Sequence, residues 1–322
     1  MQVYQFDKFV KLTFPDTEIV DGGILHEKSR FLLAGDTGLG KSYLSLQIAF
    51  ESARGEPWLG IWPMHRALRT MLVQIEVADS VFHRRCERLA VRQVIKNIPL
   101  WVVSIEDFVL VEGINELVDL ITQHKIELLI LDPLYKIHEG DENAVHTVKP
   151  TQRIIDRLRR DHNICVGFNH HIRKPQIGER PTINLIRGSS AWAGWVDTVI
   201  LATPGPNDTV RLHLVKARNR EEALPRQAYV LAWQKPGKFF TPILDDTVGN
   251  VGLILQAIEE LSVDGVARQS AVRDWLINQG WSRSQTYRGI AELVELGEII
   301  KEDRDLRFPR GGEPDGRAQS GN

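Results

Sequence analysis

Two cysteines, Cys86 and Cys165, are all that the sequence contains, so it has no disulfide framework and a reducing, cytoplasmic setting is expected. No apolar run is long enough to cross a membrane. The opening residues, Met1 to Lys8, lack the basic-then-apolar order of a secretory leader. Neither sign of charge is in excess: 40 Lys and Arg against 42 Asp and Glu leave a formal net charge of −2. Any nucleic-acid binding must therefore come from a local patch. Internal repeats are absent. At 322 residues the chain can form one large domain plus a small one, or two medium ones.

What is present is concentrated in eight residues. Gly35-Asp36-Thr37-Gly38-Leu39-Gly40-Lys41-Ser42 matches the phosphate-binding loop G-x-x-x-x-G-K-[ST] at every position. The apolar run Phe31 to Ala34 before it suits a buried strand, and Ser42 to Phe50 after it carries apolar residues at helical spacing. A strand, a glycine turn and a helix N-terminus gather backbone N–H groups and positive potential around one point. Lys41 neutralises β/γ-phosphate charge there, and the Ser42 hydroxyl can ligate Mg²⁺. The chain is expected to bind a nucleoside triphosphate, with ATP and Mg²⁺ as its cofactors.

The first 25 residues read as a lead-in closed by the turn Asp21-Gly22-Gly23. Residues 26–245 alternate apolar strands with amphipathic helices, the pattern of an α/β core with a mostly parallel sheet. Expected strands are 70–77, 100–105, 127–131, 164–169, 198–202 and 210–217; expected helices are 80–95, 114–124, 151–161 and 189–195. The turn Pro204-Gly205-Pro206-Asn207-Asp208 marks an antiparallel hairpin closing the sheet. Residues 250–308 read as three helices (251–261, 268–279 and 282–296) and a small hairpin, the order of a winged helix-turn-helix. Residues 309–322 are rich in Gly, Pro and charge and are expected to be disordered.

A second nucleotide motif is Leu128-Leu129-Ile130-Leu131-Asp132, an apolar strand delivering an acid at its end to hold Mg²⁺ opposite Ser42. Pro133 follows it and cannot polarise water, so another carboxylate must orient the nucleophile. Glu76 is the candidate, at the end of Leu72-Val73-Gln74-Ile75, a strand expected beside the P-loop strand. The alternative is a surface ion pair with Arg84 or Arg85.

This P-loop, an acid on the next strand and a Walker B motif ending in Asp132-Pro133 resemble the RecA/DnaB group of hexameric ATPases. Within the group the chain looks most like the RepA-type replicative helicases of plasmids and phages, over residues 15 to 235. Gly167-Phe168-Asn169-His170-His171-Ile172-Arg173-Lys174 resembles the strand-end motif that senses the γ-phosphate and couples it to a DNA-binding loop. Arg187-Gly188-Ser189-Ser190-Ala191-Trp192 resembles the segment after that loop. Lys216-Ala217-Arg218-Asn219-Arg220 resembles the K-x-R element that reaches into a neighbouring subunit's site. The resemblance implies a RecA-like fold, a homo-oligomeric, hexameric ring, and catalytic roles for Lys216, Arg218 and a sensor at His170 or His171.

The residues bear on these roles independently. His170 and His171 end an apolar strand near phosphate; one of them can equally be a core histidine, and the pair lacks zinc-ligand company. Lys216 and Arg218, two apart on a strand, share a face with no acid between them. That suits charge developing on a transferred phosphoryl group, or a solvated strand edge. The irregular loop 173–187 carries Arg173, Lys174, Arg180 and Arg187 against one acid, Glu179, and would track single-stranded DNA phosphates in a ring pore. The acidic loop 138–143 is a weaker pore candidate.

The leading expectation is an ATP-dependent DNA helicase or translocase in replication. An initiator or primase would be a separate partner, and no membrane is involved. The rivals are a RecA-like recombination or loading factor and a nucleotide-switched DNA-binding regulator.

Overall fold

The computed structural model describes residues 2–308 apart from 92, 106–107, 138–144, 175–178, 188–189, 206–207, 226–227, 234–238, 244–245, 279–282 and 296–298. The expected tail 309–322 and the acidic loop 138–143 thus lie outside the described residues. The chain divides into two compact units, one of residues 1–174 with 181–242 and the other of 175–180 with 243–322.

The first unit opens with a short helix α1 (Phe6–Phe9) and a two-stranded antiparallel sheet, β1 (Glu18–Val20) with β2 (Leu25–His26). Its main sheet has nine strands: β3 (Arg30–Gly35), β4 (Thr70–Gln74), β5 (Leu100–Ser104), β6 (Leu128–Asp132), β7 (Cys165–His171), β8 (Thr198–Pro204), β9 (Val210–Ala217), β10 (Tyr229–Trp233) and β11 (Phe240–Pro242). Their order is β11-β10-β9-β8-β3-β7-β6-β4-β5. Strands β8, β3, β7, β6, β4 and β5 run parallel, and β9, β10 and β11 are antiparallel. The sheet is therefore mixed. One expectation fails here: β4, which leads to Glu76, does not lie beside the P-loop strand β3, because β7 and β6 intervene.

Alternation along β3 feeds two cores. Phe31 and Leu33 point into one, with α2 (Lys41–Arg54) and α3 (Asp79–Ala90), while Leu32 and Ala34 point into the other, with α4 (Leu110–His124), α5 (Val145–Asp161) and α6 (Ser190–Trp195). Helix α5 begins six residues before its expected start and runs through Pro150. Only about one turn precedes the proline, so the missing N–H removes little of the ladder.

Gly167 on β7 sits against the Phe31 ring, and a Cβ there would meet Phe31 Cζ at 2.2 Å. Gly167→Ala is expected to cost about 1–3 kcal/mol by overpacking, read as a lower midpoint in chemical denaturation. An unchanged midpoint would mean that the Phe31 ring can retreat.

The second unit contains α7 (Asp246–Leu261), β12 (Val266–Arg268), α8 (Gln269–Asn278), α9 (Arg283–Glu295), β13 (Ile300–Glu302) and β14 (Asp305–Arg307). Its sheet runs β12-β14-β13, so a third strand, β12, joins the expected hairpin. Ile254, Ile258, Val272, Leu276, Ile290, Leu293 and Leu306 form its core.

Candidate active site

The P-loop bridges β3 and α2, and its conformation follows from its glycines. Gly40 caps α2 with φ +81°, a left-handed conformation, and a Cβ there would meet Phe240 Cζ at 3.0 Å. Lys41 Nζ donates to the Asp36 carbonyl within the loop (2.8 Å). Burial lowers the Lys41 pKa, against the opposing charges of Asp132, Glu76 and Asp36. A partly desolvated ammonium held, among the described residues, by a neutral carbonyl is ready to exchange that partner for phosphate oxygen.

Asp132 closes β6 and is buried. Burial raises its pKa, while the neighbouring Asn169 amide and Ser42 hydroxyl oppose the rise. Ser45 Oγ donates to Asn169 Oδ1 (2.6 Å), which turns the Asn169 amide nitrogen toward that carboxylate. A hydroxyl and a carboxylate paired beside an anion site, the acid short of positive charge, suit a hard oxygen-seeking cation such as Mg²⁺. Ser42 and Asp132 are the residues that would hold it, and the ion would offset phosphate charge.

Glu76 reaches the same place despite its distant strand. Gln74 stands opposite Asp132 in the parallel register of β4 and β6, and Ile75 N–H donates to the Asp132 carbonyl (2.9 Å). Glu76 therefore emerges just past the metal-ligating acid. Gln74 Oε1 accepts from the N–H groups of Glu76 and Val77 (2.7 Å each), fixing the turn, and the Tyr135 hydroxyl donates to Glu76 Oε1 (3.0 Å). Lys41, Ser42, Glu76, Arg85, Asp132 and His171 all line one cavity of about 200 Å³.

Tyr43, Asn169 and Arg85 also line this cavity, with no site role assigned to them from the sequence. Asn169 sits within the quoted motif, but no role was given to it. Arg85 on α3 was considered only as an ion-pair partner; its guanidinium lies 4.6 Å from the Tyr43 ring centroid, and its Nε is buried without a hydrogen-bond partner among the described residues.

The two histidines separate cleanly. His171 lines the cavity and packs on the Tyr135 ring at 5.3 Å. His170 is fully buried on the other side of β7, and its Nε2 donates to the Arg187 carbonyl (2.8 Å). Strand alternation gives the cavity residues 169 and 171 and excludes 170, so His170 drops out as a phosphate contact.

Lys216 and Arg218 lie far from this cleft. Ala217 pairs with Thr198, which pairs with Phe31 at the start of β3, whereas the P-loop leaves the opposite end of that strand. Lys216 Nζ donates to the carbonyls of Ala193 (2.7 Å) and Gly194 (3.1 Å), and Arg218 donates to the Gly194 carbonyl (3.0 Å) and Asp197 (2.8 Å). No acid lies between Lys216 and Arg218 on the strand, but Asp197, from the turn after α6, meets Arg218. Burial alone would raise the Asp197 pKa, but hydrogen bonds and charge from Arg30, then Arg218, hold it below the ordinary value.

A profile of the AAA domain family matches residues 3–176, more than half of the chain and a span that contains every residue lining this cleft. The chain belongs to the AAA domain family. It is an ATPase on that ground and by its site. Among solved structures it is similar to the ATPase domain of G40P, with 13% identity, a TM-score of 0.50, and coverage of 67% of this chain and 85% of that one. At that identity the likeness is one of fold. No protein of curated function matches the chain.

Beyond β7 of the AAA domain, the loop with the candidate DNA-binding residues is closed by main-chain bonds. Arg173 N–H donates to the Leu185 carbonyl (2.8 Å) and Arg187 N–H to the His171 carbonyl (3.0 Å). Arg173, Lys174 and Arg187 are exposed at this end of the sheet. Arg180 is also exposed but belongs to the stretch grouped with the second unit, and residues 175–178 lie outside the described ones.

A second cavity of about 420 Å³ opens on the other side of the P-loop, walled by Leu39, Tyr43, Trp233 and Phe240 and by the hairpin residues Pro204 and Gly205. Tyr43 and Trp233 meet edge to face at 4.9 Å. An aromatic wall beside a phosphate site offers a nucleotide base an apolar surface.

Proposed function

We propose that this ATPase is a DNA helicase or translocase that works as a head-to-tail ring of copies on the plan of the RecA/DnaB group, most like the RepA-type helicases. One observation carries the reading. Lys41, Ser42, Glu76, Asp132 and His171 share a cleft at one end of the sheet, while Lys216 and Arg218 occupy the other end. Copies repeating head to tail bring one end against the other, and such heterologous contacts close into rings. Lys41 then holds the phosphates, Glu76 orients the attacking water, and Lys216 and Arg218 of the next copy meet the charge that develops on the γ-phosphoryl group.

His171 is the sensor in this scheme. Its carbonyl is bonded to Arg187, at the foot of the loop that would track single-stranded DNA. The second unit, with three helices and a three-stranded sheet, is read as a winged helix-turn-helix that binds DNA or a replication partner.

ATP hydrolysis is expected to rise strongly with single-stranded DNA, and a forked duplex to be unwound when ATP is present. Hydrolysis by an assembled ring that does not displace a strand would favour the loading-factor reading. Hydrolysis indifferent to DNA, with duplex binding by the full chain, would favour the nucleotide-switched regulator.

A further inference from the structure

Away from the nucleotide cleft, three metal-ligating side chains from separate stretches meet beside β1. Main-chain pairing sets them there. On one edge of β1, Glu18 stands opposite His26 of β2. On the other edge a bridge joins Val20 to Met64, Asp21 N–H donates to the Pro63 carbonyl (3.0 Å), and His65 N–H donates to the Ile19 carbonyl (2.9 Å). Donor atoms of Glu18, Asp21 and His65 consequently lie within 4.8 Å of one another. Their convergence comes from backbone pairing, so the donors are placed before any ligand arrives.

Glu18 Oε1 accepts from Gly23 N–H (2.7 Å), which orients the carboxylate as supporting bonds orient metal ligands. His26 Nε2 stands 3.8 Å from Glu18 Oε1 on the opposite edge of β1.

We propose that Glu18, Asp21 and His65 bind a divalent transition-metal ion, with Zn²⁺ the best fit. Two carboxylates balance its charge, and imidazole nitrogen selects zinc over magnesium. The ion clasps β1 to the stretch before β4. It also steadies the turn whose Gly22 carbonyl accepts from Arg220 Nη1 (3.0 Å), two residues beyond Arg218.

Full-length protein stripped with a chelator and titrated with Zn²⁺ by calorimetry is expected to take up one ion per chain. Co²⁺ in its place is expected to give the visible absorption of a four-coordinate site. His65→Ala and Asp21→Asn alter exposed side chains, and each should weaken Zn²⁺ binding at least about tenfold. Lys41→Ala should leave it unchanged, which separates this site from the Mg²⁺ site at the P-loop. No zinc uptake by the full chain, or uptake unchanged in both His65→Ala and Asp21→Asn, overturns the proposal.

Discussion

Glu76→Gln is expected to lower the turnover number for ATP hydrolysis by about 10²- to 10⁴-fold, the range a positioned general base contributes, while ATP binding persists. Binding should survive because the carboxylate is exposed at the cavity and bonds to Tyr135, not to the P-loop. The sign of any affinity change also follows. Glu76 adds negative charge beside Asp132 and helps raise its pKa. Neutralising it removes repulsion toward a polyanionic nucleotide, so affinity should hold or tighten. Equilibrium binding of a fluorescent ATP analogue alongside steady-state hydrolysis separates the two quantities. Loss of binding in parallel with turnover would assign Glu76 to the nucleotide's ground state and leave the water to another group.

Arg218→Ala is expected to cost about 10³-fold in turnover, as removing an arginine that meets transition-state charge does. The fold should tolerate the change, because Asp197 keeps its bonds from Arg30 Nε and Nη2 (3.1 Å each). Mixing is the sharper measurement. Glu76→Gln and Arg218→Ala copies are each inactive alone, yet a mixed ring contains interfaces in which both groups are native. Partial recovery of hydrolysis on mixing is the expected result. If Arg218→Ala hydrolyses ATP at the normal rate, the site is complete within one copy.

The parts of the cleft that were legible in the sequence are those whose chemistry is local. The P-loop declares itself by spacing, and Asp132 by the apolar strand that delivers it. The placement of Glu76 is not legible in this way, since β4 is not adjacent to β3. Strand order is set by long-range packing, which no local pattern encodes. His170 and His171 could not be told apart because β7 is buried on both faces, with no polar-apolar alternation to reveal parity. Arg85 resembles any basic residue on an amphipathic helix until α3 is laid beside Tyr43. The aromatic wall joins Tyr43 to Trp233 and Phe240, nearly two hundred residues later, and the strands β10 and β11 that carry them were not anticipated. Asp197, which answers Arg218, follows a short helix and carries no motif at all.

The bond between Arg218 and Asp197 has a thermodynamic consequence. In a lone copy the guanidinium is already engaged, so moving it to a neighbour's phosphate is an exchange of partners whose net gain depends on the nucleotide across the junction. ATP should therefore tighten the junction more than ADP does. By reciprocity, joining copies must raise the preference for ATP over ADP by the same factor. The ring would then be held in its closed state by its own fuel, and each hydrolysis would loosen one seam.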